Sequence, residues 1–98
     1  MVIEWLTLRV PPAEQSRYLV LDAEIWTPAL AACPGFFGKE VWRAAADPGV
    51  VNLIIRWQSR EDWKAVPGLI LAETEARFVA ALGYLVPVLS CTDLDVLG

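Results

Sequence analysis

The sequence predicts an α+β fold in which one antiparallel sheet is built in the order β-α-β-β-α-β. Three observations carry this expectation. Residues 2–10 alternate between apolar and mixed side chains with period two. Phe36–Arg43 and Val50–Gln58 read as two strands joined through a turn at Asp47-Pro48-Gly49. Segments of helical apolar spacing stand on either side of that hairpin.

The first strand places Val2, Glu4, Leu6, Leu8 and Val10 on a mainly aliphatic face, and Ile3, Trp5, Thr7 and Arg9 on the other. Pro11-Pro12 ends it and supplies a first-turn signal for a helix. That helix is expected over about Ala13–Ala32, with an inner stripe of Leu19, Ala23, Trp26, Leu30 and Cys33 flanked by Tyr18, Leu21 and Ile25. The ring of Pro28 would meet the carbonyl of Glu24, which predicts a kink or break near Trp26-Thr27. Pro34-Gly35 closes the segment before the hairpin. A bulge within Phe36-Phe37-Gly38 would reverse the parity of Glu40 and Trp42. After the hairpin, Ser59-Arg60-Glu61-Asp62 resembles a capping box with Asp62 in the usual Glu position, opening a short helix to about Val66. Pro67-Gly68 interrupts, and a longer helix follows over about Leu69–Leu82. Its inner face is Leu71, Thr74, Phe78, Ala81 and Leu82, with Glu73 and Arg77 paired outside and Gly83 as C-cap. Val86–Asp93 reads as a fourth strand, with Pro87 marking an edge or a strand start, and Leu94–Gly98 as a loose tail. This is the split βαβ order of ferredoxin-like folds, and residues 1–98 read as one domain.

Composition narrows the partners. Hydrophobic residues make up 56% of the chain, above the usual roughly 45–50%, and five are tryptophan. A domain of this size hides only about 60–70% of its unfolded surface, so the surplus points to self-association or ligand binding. No apolar run approaches the ~20 residues of a membrane span, and Met1-Val2-Ile3-Glu4-Trp5 does not open like a signal peptide. The expectation is a soluble cytoplasmic protein. Its net charge of −4 has no basic stripe, which argues against nucleic acid. Cys33 and Cys91 stand alone and read as free thiols. The chain has no histidine, which removes the commonest general base, the Ser-His and Cys-His arrangements, and histidine-ligated metal or haem. No cofactor or metal is expected.

Pro34-Gly35-Phe36 with Gly38-Lys39-Glu40-Val41-Trp42, the Asp47-Pro48-Gly49 turn, and Ile55-Arg56-Trp57 with Ser59, Glu61 and Trp63 resemble the antibiotic biosynthesis monooxygenase type of dimeric α/β barrel. More narrowly, Val2–Thr7, Asp22–Thr27 and the Pro34–Trp42 segment resemble an uncharacterised, mainly cyanobacterial subgroup. The resemblance covers about residues 2–82. It implies a homodimer whose two sheets face each other, with helices outside and a small pocket between each sheet and its own helices. It does not imply one activity, since the superfamily includes cofactor-independent monooxygenases, isomerases and haem-degrading enzymes. The missing histidine disfavours the last of these.

Strand parity groups Trp5, Thr7 and Arg9, then Glu40 and Trp42, then Asn52, Ile54 and Arg56, each set on one face of its strand. If register joins these faces, Trp5, Arg9, Glu40, Trp42, Asn52 and Arg56 form a polar-aromatic lining that suits a flat aromatic or quinol-like ligand. The same residues suit a dimer interface, where Trp and Arg are favoured. Trp26, with Asp22 and Glu24, is a candidate for a pocket between helix and sheet, or plain core. Two function classes stay open. One is cofactor-independent oxygenation of a small aromatic or quinol-like substrate, with Arg56, Asn52 and the tryptophans stabilising its anion. The other is a non-catalytic dimer that binds a small ligand or has a structural role.

Overall fold

The computed structural model describes residues 1–98. The period-two segments form strands β1 (Val2–Arg9), β2 (Phe36–Arg43), β3 (Val50–Trp57) and β4 (Val88–Asp95). They make one antiparallel sheet in the order β2-β3-β1-β4, the ferredoxin-like arrangement. Helices α1 (Gln15–Leu21), α2 (Thr27–Ala31), α3 (Arg60–Lys64) and α4 (Gly68–Leu82) complete the β-α-β-β-α-β order. None of them is long and apolar enough to cross a membrane.

Alternation sorts the sheet into a covered and an open face. The even residues of β1 and the odd residues of β3 meet the helices. One core cluster joins Leu8, Val10, Val51 and Leu53 to Tyr18, Phe78 and Leu82; the other joins Val2, Ile55 and Trp57 to Leu30 and Cys33. Leu6 and Trp26 pack against both clusters.

The first helical segment is not broken at Pro28. A π-turn over Asp22–Trp26 links α1 to α2, with the Thr27 N–H donating to the Asp22 carbonyl. The widened turn absorbs the proline ring while the backbone stays right-handed throughout. It also resets the inner stripe. Leu19 is 44% exposed and Ala23 is exposed, whereas Tyr18, Asp22 and Leu30 are buried and Trp26 is half-buried. The regular spacing of four, Tyr18-Asp22-Trp26-Leu30, is what one side of a helix with one wide turn presents.

Other elements fall close to expectation. The Ser59 hydroxyl accepts from the Asp62 N–H at 3.1 Å, but the Asp62 carboxylate returns to that hydroxyl at 2.9 Å instead of to the backbone. Asp62 presses against Gly35, whose φ is +82°, and a Cβ there would lie 2.3 Å from Asp62 Oδ2. Only glycine fits this crossing. Gly83, at φ +96°, caps α4. On α4, Thr74, Phe78 and Leu82 are buried, Leu71 and Ala81 are exposed, and Glu73 and Arg77 form no ion pair. Arg17 instead donates to the Ala81 and Leu82 carbonyls at 3.0 and 2.6 Å, tying α1 to the end of α4. Strand β4 lies at a sheet edge after Pro87 and runs on through Leu94 and Asp95, so the expected tail is in part strand. Pairing with β1 continues to Val2↔Asp95, and the Val96 N–H bonds the Met1 carbonyl beyond it.

Candidate functional site

The two core clusters do not close on each other. Between them, under the helices, lies a cavity of 460 Å³. Its floor is Leu6, Leu8, Leu53 and Ile55 of the sheet, and its walls carry Tyr18, Trp26, Trp57, Trp63 and Phe78. The exposed Leu71, Leu85 and Val88 border it. Four charged residues interrupt the apolar lining: Glu4, Lys39, Lys64 and Glu75.

Each is held differently. Lys39 projects from β2 beneath the π-turn and bonds Asp22 at 2.7 Å, both side chains being 4% exposed. The π-turn thus aims the Asp22 carboxylate inward and sets Trp26 on the cavity wall one turn later. Lys64 lies 3.9 Å above the Trp63 ring, a cation–π contact. Glu4 accepts from the Trp57 indole N–H at 3.0 Å and forms no ion pair. Burial pushes its carboxyl above the usual carboxylate range, opposed by the Trp57 hydrogen bond, by the positive charges of Lys64 and Lys39, and by a weaker hydrogen bond from Trp63. Burial raises Glu75 as well, with Trp26 acting against it. The Tyr18 phenol, edge-on to Phe78 at 5.2 Å, is pushed well above its ordinary range by burial and by the negative charges of Asp22 and Glu75.

Of the residues singled out from sequence, only Trp26 lines this cavity. Trp5, Arg9, Glu40, Trp42, Asn52 and Arg56 belong to the opposite, open face of the sheet, and register does bring most of them together. Trp5, Ile54 and Glu40 stand abreast, as do Thr7, Asn52 and Trp42. The Asn52 Oδ1 accepts from Trp5 Nε1 at 2.7 Å and from Thr7 Oγ1 at 3.1 Å. Glu40 accepts from Trp42 Nε1 at 3.0 Å and from the Arg56 guanidinium. Arg9 turns away to Asp47 of the hairpin turn, at 2.8 Å. The bulge does occur at Phe36/Gly38, and it sends Phe36 to the covered face, edge-on to Trp57, while Glu40 and Trp42 stay with Asn52. Trp42 also borders a shallower 220 Å³ depression with Gln15, Leu19 and Val51.

Glu4, Lys39, Trp57 and Lys64 are absent from the sequence-derived set. One signal was present for Glu4: it is the sole charged residue on the aliphatic face Val2, Glu4, Leu6, Leu8, Val10. For Lys39 the signal lay in a lysine alternating with Val41 on β2, facing a helical acid whose burial the π-turn conceals. No three His, Cys, Asp or Glu side chains gather as a metal-binding group.

Comparisons with known proteins agree on the fold. Among curated proteins none matches the chain. A candidate antibiotic biosynthesis monooxygenase from Bordetella bronchiseptica superposes with a TM-score of 0.75 at 12% identity, covering 98% of this chain and 96% of that one. A second such candidate, from Deinococcus radiodurans, gives 0.67 at 20% identity and covers 100% and 94%. SnoaB, described as a cofactor-independent oxygenase from Streptomyces nogalater and solved as a point mutant, gives 0.66 at 18% identity with 97% and 91% covered. The sequence profile described as antibiotic biosynthesis monooxygenase matches residues 1–66, and the chain therefore belongs to that family.

Proposed function

We propose that this protein is a cytoplasmic homodimer, of the mainly cyanobacterial subgroup its motifs resemble, that binds a small aromatic or quinol-like molecule in the cavity of each protomer and oxygenates it without a cofactor. The observation that carries the reading is the cavity itself. Its 460 Å³ falls within the roughly 300–1,000 Å³ of small-molecule sites, and its lining is aromatic with a few charged groups set into it. Trp26 and Trp63 offer faces or edges to a flat ring, with the buried Trp57 packed behind the wall. In this chemistry the substrate supplies the electrons. A phenol or enol that has lost a proton reduces dioxygen, and a ring methylene with O₂ becomes a ketone and water. The protein then has to bind, exclude water and stabilise an anion, a task for which Lys64 provides positive charge beside the apolar walls. The description of SnoaB supports the reaction class, and the family supports a monooxygenase.

The open sheet face supports a different role for the remaining sequence candidates. Glu40, Asn52, Arg56 and Arg9 each have a partner within the chain, and half-exposed Trp42 stands beside them. We assign Trp5, Glu40, Trp42, Asn52 and Arg56 to a dimer interface, and Arg9 to its margin. The non-catalytic reading draws on the same pairing, since the charged groups of that face and the Asn52 carbonyl are already matched within the chain.

Tryptophan fluorescence and oxygen uptake with a panel of anthrones and hydroquinones test the proposal. Saturable quenching together with substrate-dependent oxygen uptake is the expected result. Quenching without uptake would favour a ligand-binding dimer, and neither signal from any compound would defeat both readings.

A further inference from the structure

We infer that Glu4 is the proton acceptor of the cavity, oriented by the Trp57 indole, and that it serves a phenol or enol whose acidic C–H or O–H it removes. The inference rests on the cavity being the ligand site, as proposed above.

Position is the first argument. Across the covered face, register sets Lys39, Ile55, Glu4 and Asp93 in one row over β2, β3, β1 and β4. Glu4 therefore stands on a central strand, the most rigid place a sheet offers, at the edge of the aromatic walls. Two strand spacings, roughly 10 Å, separate it from Lys39, and Lys39 is already matched by Asp22. The second argument is partnership. One carboxylate oxygen, Oε1, takes the N–H of Trp57, a ring with no exposure at all. Trp63, on the same wall, lends the carboxylate a second and weaker side-chain hydrogen bond. A carboxylate oriented by indole donors, partly accessible and set among Leu6 and Ile55, is placed to act as a base. Asp93, next in the row, shows the contrast: it is exposed and held by Arg60 at 2.7 and 2.8 Å. The groups facing Glu4 are Lys39 from β2, Lys64 from α3, and Cys91 and Asp93 from β4, with Glu75 of α4 on the same cavity.

The step balances with dioxygen as oxidant. The Glu4 carboxylate takes a proton from the ring methylene of an anthrone, leaving a delocalised carbanion. That carbon transfers electrons to O₂ and forms a C–O bond, and Glu4 returns its proton to the peroxide. The hydroperoxide then loses its remaining C–H proton and breaks its O–O bond, releasing water and leaving a ketone. Four electrons leave carbon and four enter oxygen, and Glu4 ends ionised as it began.

The test uses the intact protein with 1,8-dihydroxyanthrone, reading fluorescence quenching for binding and oxygen uptake for turnover across pH. In the parent, turnover is expected to rise with pH through one ionisation above the ordinary carboxylate range, because the ionised form is the base. Glu4→Gln keeps an acceptor for Trp57 but cannot take a proton. Its turnover should fall about 100-fold or more, the usual worth of a general base, with a quenching midpoint within about threefold of the parent. Trp57→Phe removes a donor that favours the charged form, so its pH limb should move to higher pH, a change that loosened packing alone would not produce. If Glu4→Gln disturbs binding, Glu4→Asp replaces it: binding kept with turnover down at least about tenfold supports the inference, and full turnover overturns it. Parental turnover and pH limb in Glu4→Gln would overturn the assignment while leaving the site intact. A parent that neither binds nor oxidises the probe would overturn the site reading and this inference together.

Discussion

Glu4 is an acid placed where a leucine would pack, and its effect on stability has a definite sign. Burial raises its pKa in the folded protein above that of the unfolded chain. Between those two values the folded state holds a proton that the unfolded state has released, so stability falls as pH rises through that window and is level above it. Glu4→Gln removes the charge while keeping the hydrogen bond from Trp57. Its urea midpoint should exceed that of the parent at pH 7 and match it below the ordinary carboxylate range. Equal midpoints at both pH values would mean that the carboxylate is better solvated than its surroundings indicate. The same substitution that stabilises the fold should abolish turnover, which is the pattern of a residue kept for chemistry.

The π-turn does for the helix what Glu4 does for the strand, spending regularity on the site. Widening the helix at Asp22–Trp26 turns the Asp22 carboxylate toward Lys39 and carries Trp26 to the cavity wall. Removing one partner of a buried pair leaves an uncompensated charge. Lys39→Met should therefore cost about 3–5 kcal/mol in urea unfolding, and adding Asp22→Leu should recover most of that loss. A single-variant cost below about 1 kcal/mol would show the pair to be solvated. This turn also marks the boundary of what the sequence discloses. Strand alternation, Pro11-Pro12, the Ser59 cap and Gly83 are local signals, and each element they announce is present with its end within about two residues. Pro28 announced a disturbance, but whether a helix breaks or widens depends on the sheet beneath it. Leu19 and Ala23 were accordingly assigned to the wrong side. Parity grouped Trp5, Glu40, Trp42, Asn52 and Arg56 correctly. Which of two apolar faces the helices would cover was not legible, because both faces carry large side chains, and so the cavity-lining Glu4, Lys39, Trp57 and Lys64 went unread.

In the whole molecule, the cavity and the open sheet face lie on opposite sides of one β layer, and this makes assembly separable from chemistry. The open face carries Trp5, Thr7, Asn52 and Trp42 over buried Ile3 and Ile54, and register adds Thr92 and Leu94 from β4. Trp42 and Leu94 remain 49% and 41% exposed. Isologous pairing of two such faces would bury on the order of 1,500–2,000 Å². The parent should then sediment at twice its protomer mass at low micromolar concentration. Trp42→Ala, removing an aromatic anchor, should weaken association about 30-fold, equivalent to about 2 kcal/mol. Trp5→Lys would set two like charges in a dry interface, strand Asn52 without its strongest donor, and yield a monomer. Because Trp26, Trp57 and Trp63 lie beyond the sheet from these changes, the monomer should still show anthrone quenching, with a midpoint within about threefold of the dimer. A parent that is monomeric at tens of micromolar would remove the open face from assembly. Loss of quenching in step with dissociation would show that the cavity is completed only when the second subunit is in place.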